Sequence, residues 1–269
     1  MNTYPFFEVE KHVERQTAVL YLNRPEKLNA MSWPFWRDLP FVVDDLERDP
    51  EVRVVVIAGR GKSFSVGIDV FEFFVNNQDT LIGAKPEFRE KLHDLIVQMQ
   101  QGFNRMSEGN NIYIAAVHRH CIGGALDLIS ACDLRLASKD AVFSLRETKI
   151  AIVADMGSLN RLPGIIGQGH ARMLALTGRD FPADSALRMG LINELYETCE
   201  DLMKGALDLA AEIAGNADNA VRGTKKILNY MENHSVEDGL RYVAAWNSAF
   251  FNTDAVQKAF ERSMQSKKK

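Results

Sequence analysis

The run VRVVVIAG at residues 52–59 is almost entirely apolar and rich in β-branched side chains. A run of this kind predicts a fully buried strand. Four further segments predict strands: residues 17–23, 112–118, 132–138 and 141–145. Because predicted helices separate several of these strands, the first half of the chain is typical of stacked βα units.

Apolar residues at helical spacing mark the segments between and after these strands. The predicted helices are residues 32–48, 87–106, 124–129, 171–178, 183–190, 201–214, 217–232 and 236–251. Pro40 lies inside the first of them, where a proline should kink or shorten the helix because it lacks a backbone N–H. Helices dominate from residue 170 onward, which predicts a helical appendage at the end of the chain.

The composition is that of an ordinary globular protein, with 46% hydrophobic and 25% charged residues among 269. A net charge of −4 argues against a general nucleic-acid binder. No uncharged run approaches the roughly 18 residues of a membrane-spanning helix. The three cysteines lack the spacing of a zinc site and indicate reduced thiols. The N-terminus has no apolar signal core and the last residues are not SKL, so a cytoplasmic location is expected.

Two glycine-containing loops directly follow two of the predicted strands. They are SFSVGIDV at 63–70 and HCIGGALD at 120–127. Backbone N–H groups that converge from two such loops would form an oxyanion hole, which stabilises a developing negative oxygen. The alternative is that the glycines permit tight turns or close packing, and the glycines alone favour that alternative.

Three acidic residues, Asp127, Glu147 and Asp155, follow the glycine pair in a largely apolar stretch. Carboxylates there are costly unless they are paired, exposed or used, and proton transfer between carbon atoms needs such groups facing one pocket. Each also has a structural alternative. Asp127 could complement a helix dipole, Glu147 could pair with Arg146 or Lys149 at the surface, and Asp155 could cap the following helix.

Three other motifs resemble a phosphate-binding loop, a dinucleotide-binding loop and a metal site, and each is rejected. GRGKS at 59–63 resembles the end of a phosphate-binding loop, but Val56 stands where that motif needs glycine. The glycine-rich GIIGQG at 164–169 has the wrong order for a dinucleotide fingerprint and predicts a turn between two elements. His118 and His120 would point to one side of a strand, but without a third ligand in register they do not predict a metal site.

The glycine loops and the acids together resemble the crotonase superfamily, also called the enoyl-CoA hydratase/isomerase family. The resemblance covers nearly the whole chain, in the segments NRPEKLNAM (23–31), FSVGID (64–69), CIGGALDLISACDLRLAS (121–138), LPGIIG (162–167) and GLINELYE (190–197). It implies an α/β fold, a crotonase-like spiral of ββα turns that forms two roughly perpendicular sheets. The implied core with the acyl-CoA site covers residues 1–199. Residues 200–269 would be a C-terminal helical region for assembly into a homotrimer or a dimer of trimers.

The resemblance also implies site residues. The backbone N–H groups of Ile68 and Gly124 would form the oxyanion hole around the thioester carbonyl of an acyl-CoA. Five further residues would lie along the bound CoA: Lys27, Leu28, Ala30, Ser65 and Val66. CoA is then part of the substrate, and neither a separate cofactor nor a metal is expected.

The acids decide the subfamily. Hydratases of this family resemble the chain in having two glutamates 20 residues apart, whereas this chain has Asp127 and Glu147, and hydratases have no acid at the position of Asp155. The Δ3,5-Δ2,4-dienoyl-CoA isomerases are similar at all three acids, although this chain differs from them at Ala125. The alternatives are a 2-enoyl-CoA hydratase, a Δ3-Δ2-enoyl-CoA isomerase, and an RNA-binding or scaffold member whose site is vestigial.

The isomerase reading implies a proton shift in fatty acid β-oxidation. Glu147 would remove a proton from C2 and Asp155 would return one at C6, or the two roles would be reversed, while Asp127 would orient or tune Glu147. The lining of the acyl pocket would come from residues 71–100, including Phe71, Phe73, Phe74, Phe88 and Met99. The alternative is that these side chains belong to the ordinary core.

Overall fold

The computed structural model describes residues 3–78, 81 and 85–266. The strands are β1 (Phe7–His12), β2 (Thr17–Leu22), β3 (Val54–Gly59), β4 (Ile112–Val117), β5 (His120–Ile122), β6 (Leu134–Ser138), β7 (Val142–Ser144), β8 (Phe181–Pro182) and β9 (Glu194–Tyr196). The helices are α1 (Trp33–Arg48), α2 (Val70–Asn76), α3 (Pro86–Glu108), α4 (Gly124–Ser130), α5 (Ser158–Thr177), α6 (Ala183–Met189), α7 (Cys199–Ala214), α8 (Asp218–Met231), α9 (Val236–Phe250) and α10 (Thr253–Ser266).

The strands form two sheets. The larger has the order β1-β2-β3-β4-β6-β9, and all its neighbouring pairs are parallel except β1 with β2. The smaller has the order β5-β7-β8, with β5 and β7 parallel and β7 and β8 antiparallel. The predicted α/β class is confirmed, and the two sheets agree with the fold that the sequence resemblance implies.

Strand β3 shows why the large sheet is covered on both faces. Val55 and Ile57 belong to the cluster that includes the apolar side chains of α1 and α3. Val54 and Val56 point to the opposite face and belong to a second cluster with α7. Successive side chains of a strand alternate between faces, so an uninterrupted apolar run is stable where both faces are covered.

The five predicted strands all form, each within a few residues of its predicted bounds. The sequence reading missed β1, β5, β8 and β9. Strand β1 carries charged residues in FEVEKH at the edge of the sheet, and the other three have two or three residues each. Strands that are short or partly charged lack the apolar run on which such a prediction depends.

Two predictions concern breaks in helices, at Pro40 and in the segment 164–169. Helix α1 continues through Pro40 to Arg48, so the proline does not shorten it. Pro40 is buried together with Leu39 and Val43, and this packing offsets the missing hydrogen bond. The segment 164–169 contains the predicted break between two elements, because Gly167 (φ 75°, ψ 158°) is non-helical and separates the two helical parts of α5.

The predicted C-terminal region is helical and attaches to the rest of the chain through packing and polar contacts. Helix α7 covers one face of the large sheet with Leu202, Ala206 and Ala210. Lys225 of α8 is buried and its ammonium group donates to the Asn111 carbonyl and to the Asp133 carboxylate. In the described ranges, no helix combines the length and the apolar character needed to cross a membrane.

Candidate active site

The two glycine loops run side by side in the structure. Ser65 donates its N–H to the His120 carbonyl at 2.9 Å, and Ile122 donates its N–H to the Ser65 carbonyl at 3.3 Å. These bonds align the loop after β3 with strand β5, which leads directly to Gly124. The structure thus brings together the two loops that the sequence predicts to converge.

Glycine is required where these loops touch. Gly67 has φ 85°, and a Cβ atom there would overlap the Ile122 carbonyl oxygen and lie 3.2 Å from the Gly124 nitrogen. A Cβ on Gly124 would lie 3.7 Å from the Ile68 nitrogen. The glycines therefore do more than permit a turn, since they let the backbones around Ile68 and Gly124 approach each other.

The N–H groups of Ile68 and Gly124 are available to a ligand. Among the residues that the structure describes, neither N–H has a hydrogen-bond acceptor. The carbonyl groups of the same two peptide units are engaged, because Met31 N–H donates to the Gly67 carbonyl and Leu126 N–H to the Gly123 carbonyl, both at 2.7 Å. Fixed peptide units with free N–H groups are the arrangement that an oxyanion hole requires.

Asp127 lies in the first turn of α4 and is 1% exposed. Its Oδ1 accepts the backbone N–H of Ser158, the first residue of α5, at 2.7 Å. Burial raises the pKa of Asp127 to about 6, and the bonds from Ser158 oppose that rise. The carboxylate thus accepts a backbone N–H at the start of a second helix. The alternative that Asp127 only complements the dipole of α4 did not predict this contact.

Glu147 begins a short 3₁₀ helix, Glu147–Ile150, and is half-buried. Its Oε2 is buried and has no hydrogen-bond partner within the described part of the chain. Burial, followed by the charge of Asp127, raises the pKa of Glu147 to about 7. The alternative that Glu147 pairs with Arg146 at the surface does not hold, because Arg146 pairs with Asp180.

Asp155 lies in the loop before α5 and is half-buried, and burial raises its pKa. It does not cap the helix, because the N-cap residue is Gly157 and Asp127 accepts the first N–H of the helix instead. The negative charge of Asp155 raises the pKa of both Asp127 and Glu147. The three acids therefore share one poorly solvated region, which a set of independent surface charges would not do.

Arg161 is a charged residue near the acids that the sequence analysis missed. Its guanidinium donates to the Asn104 side chain at 2.7 Å and to the Met156 carbonyl at 3.4 Å. It also packs on Gly157, where φ is 112° and a Cβ would overlap the guanidinium. Arg161 thus fixes the loop that carries Asp155, and its positive charge lowers the pKa of Asp127 against the effect of burial.

The segment with the predicted CoA contacts lies beside the glycine loops. Lys27 and Leu28 are exposed, Ala30 is buried, and Val66 is half-buried with its N–H donating to the Leu28 carbonyl at 3.2 Å. Ser65 is fully buried, so its side chain is not placed to touch a ligand from solvent.

Asn29 is a second residue that the sequence analysis missed. It is fully buried with φ 55°, and its Nδ2 donates to the carbonyls of Arg60, Ser63 and Phe64 at 2.8–3.1 Å. Its Oδ1 accepts the Arg24 N–H at 2.8 Å. A single amide thereby joins two segments about 30 residues apart, a contact with no local sequence signature.

Two cavities adjoin this region. One of about 360 Å³ has apolar walls, including Leu162 and Ala171, and reaches Glu147. Another of about 510 Å³ is lined by residues that include Met31, Trp36 and Phe73. The Met31 sulfur and the Trp36 ring would lie 3.4 and 3.5 Å from a Cβ on Gly124, so two residues of the second cavity pack close to Gly124.

The large apolar residues predicted to shape an acyl pocket differ in their surroundings. Phe73 lines the second cavity, and Met99 is buried in the core. Phe71 and Phe74 are 81% and 51% exposed, and Phe88 is half-buried. The sequence could not separate these groups because large apolar side chains serve packing and binding alike.

The two histidines support a loop. His118 Nε2 contacts the Gly61 carbonyl and His120 Nδ1 contacts the Ser63 hydroxyl, both at 3.1 Å. Across residues 3–78, 81 and 85–266, no three His, Cys, Asp or Glu side chains are grouped as metal ligands would be.

Comparison with protein families identifies relatives of the whole chain. A model of the family described as enoyl-CoA hydratase/isomerase matches residues 13–269. The peroxisomal Δ(3,5)-Δ(2,4)-dienoyl-CoA isomerase of Arabidopsis thaliana is 37% identical, over 100% of this chain and 97% of that protein. The human mitochondrial Δ(3,5)-Δ(2,4)-dienoyl-CoA isomerase is 38% identical, over 97% and 80%. A short-chain-enoyl-CoA hydratase of Clostridium acetobutylicum is 30% identical, over 95% and 94%.

Solved structures share the fold. A crystal structure from Streptomyces coelicolor A3(2) matches with a TM-score of 0.88 at 27% identity, over 99% of this chain and 94% of that chain. A crystal structure from Thermobifida fusca, in complex with CoA, matches with a TM-score of 0.79 at 26% identity, over 91% and 92%. The architecture and the sequence comparisons thus agree over nearly the full length.

Proposed function

The chain belongs to the enoyl-CoA hydratase/isomerase family, and on that premise we propose that it converts 3,5-dienoyl-CoA into 2,4-dienoyl-CoA thioesters in fatty acid β-oxidation. The observation that carries this proposal is the third carboxyl group. Asp155 lies in the same poorly solvated region as Asp127 and Glu147 and raises the pKa of both. A two-site proton shift needs a second proton carrier, and Asp155 supplies one.

The oxyanion hole is the first element of the mechanism. The thioester carbonyl oxygen accepts the free N–H groups of Ile68 and Gly124. These donors are aimed before substrate arrives, so they stabilise the enolate oxygen without reorganisation of the backbone. Removal of a C2 proton then becomes feasible for a carboxylate base.

The proton shift itself uses two carboxyl groups. Ionised Glu147 takes the proton from C2, and the electron pair spreads over the thioester and the diene. Protonated Asp155 delivers a proton to C6, which leaves double bonds at C2 and C4 and no change in atom count. A pKa of about 7 for Glu147 suits a base that must gain and lose a proton near neutral pH. The reverse assignment of the two acids gives the same product.

Asp127 acts on Glu147 through its charge in this proposal. Its carboxylate is buried and accepts the Ser158 N–H, so it is oriented toward the protein backbone. The charge raises the pKa of Glu147 and thereby strengthens it as a base.

The CoA portion of the substrate is proposed to lie along Lys27, Leu28, Ala30 and Val66, but not against the side chain of Ser65, which is fully buried. Support comes from the Val66–Leu28 backbone bond, which places the exposed segment beside the oxyanion hole. The Thermobifida fusca relative was crystallised with CoA, which supports a CoA thioester here. No other cofactor takes part in the proposed steps, because the carboxyl groups and backbone N–H groups perform them.

A paired assay tests this function. One arm follows conversion of 3,5-octadienoyl-CoA through the absorbance of the conjugated 2,4-dienoyl thioester. The other follows loss of the enoyl absorbance of crotonyl-CoA through hydration. Fast isomerisation with little hydration is expected. Hydration without isomerisation would overturn the proposal and favour a 2-enoyl-CoA hydratase, the second candidate, which the 30% identical Clostridium relative supports.

A homotrimer or a dimer of trimers is the proposed assembly. Several large apolar side chains between the start of α9 and the end of α10 are exposed in the single chain, namely Leu240, Phe250, Phe251, Phe260 and Met264. Large apolar side chains exposed in this number are typical of a chain that buries them against a partner. Sedimentation at several concentrations tests the assembly, and a stable monomer would contradict it.

The proposed compartment is the cytoplasm. Cys121 and Cys132 are buried free thiols and Cys199 is an exposed one, which suits a reducing environment. The dienoyl-CoA isomerase relatives are named as peroxisomal or mitochondrial proteins. Fractionation of the source cells decides between these compartments.

A further inference from the structure

We propose that the buried hydroxyl of Ser65 is a positioning group, which holds the backbone N–H of Ile68 in the oxyanion hole. This inference rests on the proposed function and assigns Ser65 a role through hydrogen bonds within the protein. Ser65 is fully buried, so its hydroxyl acts on the backbone and not on the substrate.

The hydroxyl of Ser65 makes two hydrogen bonds. It donates to the Asn29 carbonyl at 2.8 Å and accepts the Gly67 N–H at 3.1 Å. The first bond joins the loop to the segment that carries Lys27 and Leu28. The second acts on the residue directly before Ile68.

Gly67 needs this restraint because glycine is the most mobile residue of a backbone. It has φ 85°, and its two peptide groups are held from opposite sides. Ser65 holds the N–H side and Met31 N–H holds the carbonyl side at 2.7 Å. With both bonds in place the peptide unit between Gly67 and Ile68 is fixed, and so is the direction of the Ile68 N–H. Loss of either bond would let the Gly67 backbone rotate.

Ser65 also sets the second half of the hole. Its backbone N–H donates to His120 and its carbonyl accepts from Ile122, two residues before Gly124. Ser65 therefore contacts both backbone segments that lead to the proposed donors, the N–H groups of Ile68 and Gly124. A displacement of about 1 Å at a catalytic group can cost roughly 100-fold in rate, so such a junction is expected to affect turnover.

Ser63 provides a matched control on the same loop. It is also fully buried, its hydroxyl contacts His120 Nδ1 at 3.1 Å, and it accepts the His120 N–H at 3.2 Å. Ser63→Ala therefore removes as many hydrogen bonds as Ser65→Ala. The difference is that the Ser63 hydroxyl has no bond to Gly67.

The experiment compares Ser65→Ala, Ser63→Ala and the unmodified chain in two measurements. The first is isomerisation of 3,5-octadienoyl-CoA, where Ser65→Ala should lower kcat about 10- to 100-fold with little change in KM. Ser63→Ala should keep kcat within about twofold. Its loss of thermal stability should be similar to that of Ser65→Ala. The second is the absorbance of bound para-dimethylaminocinnamoyl-CoA, which moves to longer wavelength when the oxyanion hole polarises its carbonyl. Ser65→Ala should reduce that movement and Ser63→Ala should retain it.

Equal kcat and an equal absorbance change in Ser65→Ala and the unmodified chain would overturn the proposal. Equal losses in both variants would also overturn it, because the effect would then be one of general loop stability. If Ser65→Ala does not fold, Ser65→Cys carries the test, since a thiol is a weaker hydrogen-bond partner of similar shape. An unmodified chain that shifts the dye absorbance without isomerising any dienoyl-CoA would refute the proposed function, while the dye still decides the role of Ser65.

Discussion

The carboxylate of Asp127 accepts the backbone N–H of Ser158 at 2.7 Å, which links the first turn of α4 to the first residue of α5. Both residues are buried, so water does not screen the bond. The N-terminus of a long helix favours a negative charge, while burial disfavours it. The resulting pKa of about 6 leaves Asp127 ionised above that pH, where its charge acts on Glu147.

Replacement of Asp127 by asparagine should shift the pH dependence of isomerisation. Asp127→Asn keeps an acceptor for Ser158 but removes the charge, so the pKa of Glu147 should fall below its present value of about 7. The acid limb of the kcat/KM profile should then move to lower pH. Turnover on the plateau should fall about tenfold because a weaker base removes the C2 proton. An acid limb at the same pH would show that Asp127 does not tune Glu147.

Glu147 should reduce the stability of the fold at alkaline pH. Because its pKa rises from 4.5 to about 7 on folding, its contribution to stability is fully present below the lower value and is lost as pH rises through the higher one. Glu147→Gln should therefore be more stable than the unmodified chain at about pH 8, by roughly 1–2 kcal/mol after allowance for partial exposure. Urea denaturation at about pH 8 and at about pH 4 measures this difference, which should vanish at the lower pH. Glu90→Gln, on an exposed part of α3, is the control, and a pH-independent gain would contradict the prediction.

Gly157 should tolerate no side chain. Gly157→Ala would impose a strained φ of 112° on an alanine and would displace the Arg161 guanidinium from the loop that carries Asp155. A loss of about 1–3 kcal/mol in the free energy of unfolding is expected, together with a fall in kcat. Gly164→Ala is the matched control in α5, where a Cβ meets open space and should be neutral or stabilising by about 0.5–1 kcal/mol. Equal behaviour of the two variants would contradict the role of Gly157.

Lys225 should be essential for attachment of α8 to the core. Its ammonium group is buried and donates to two carbonyls, of Met106 and Asn111, and to the Asp133 carboxylate. Lys225→Met removes the donor to two carbonyls and leaves the half-buried Asp133 carboxylate with the Tyr113 N–H, which should cost about 3 kcal/mol in the free energy of unfolding. Lys226→Met, at the next position and only half-buried, should change it by less than about 0.5 kcal/mol. Chemical denaturation of both variants tests the difference, and a mild effect at Lys225 would contradict it.

The sequence predicted the parts of the fold that depend on local patterns. Strand β3 and its neighbours follow from continuous apolar runs, because nothing but a covered sheet buries such runs on both faces. Pro40 misled the prediction because the propensity of one residue was weaker than the burial of an apolar helix face. Gly167, by contrast, interrupts the helical backbone of α5 where the glycine-rich segment predicted a turn.

The site residues also divide into those that could be predicted from the sequence and those that could not. Asp127, Glu147 and Asp155 could be proposed from their combination with the two glycine loops and from the family resemblance, and burial raises the pKa of all three. Asn29 and Arg161 could not, because their contacts join segments that are distant in the sequence and lack any motif. The hydroxyl of Ser65 belongs to this second group, since its role depends on two backbone groups that fold around it.

The most direct test of the central claim is Asp155→Asn, assayed with a 3,5-dienoyl-CoA in deuterated water. Glu147 should still exchange the C2 proton with solvent, because it and the oxyanion hole are intact. Isomerisation should fall by at least about 100-fold, because delivery of a proton to C6 has lost its donor. Exchange at C2 without conversion to the 2,4-dienoyl product is the predicted result. Conversion at the rate of the unmodified chain would mean that Asp155 carries no proton, and the isomerase mechanism proposed for this site would be wrong.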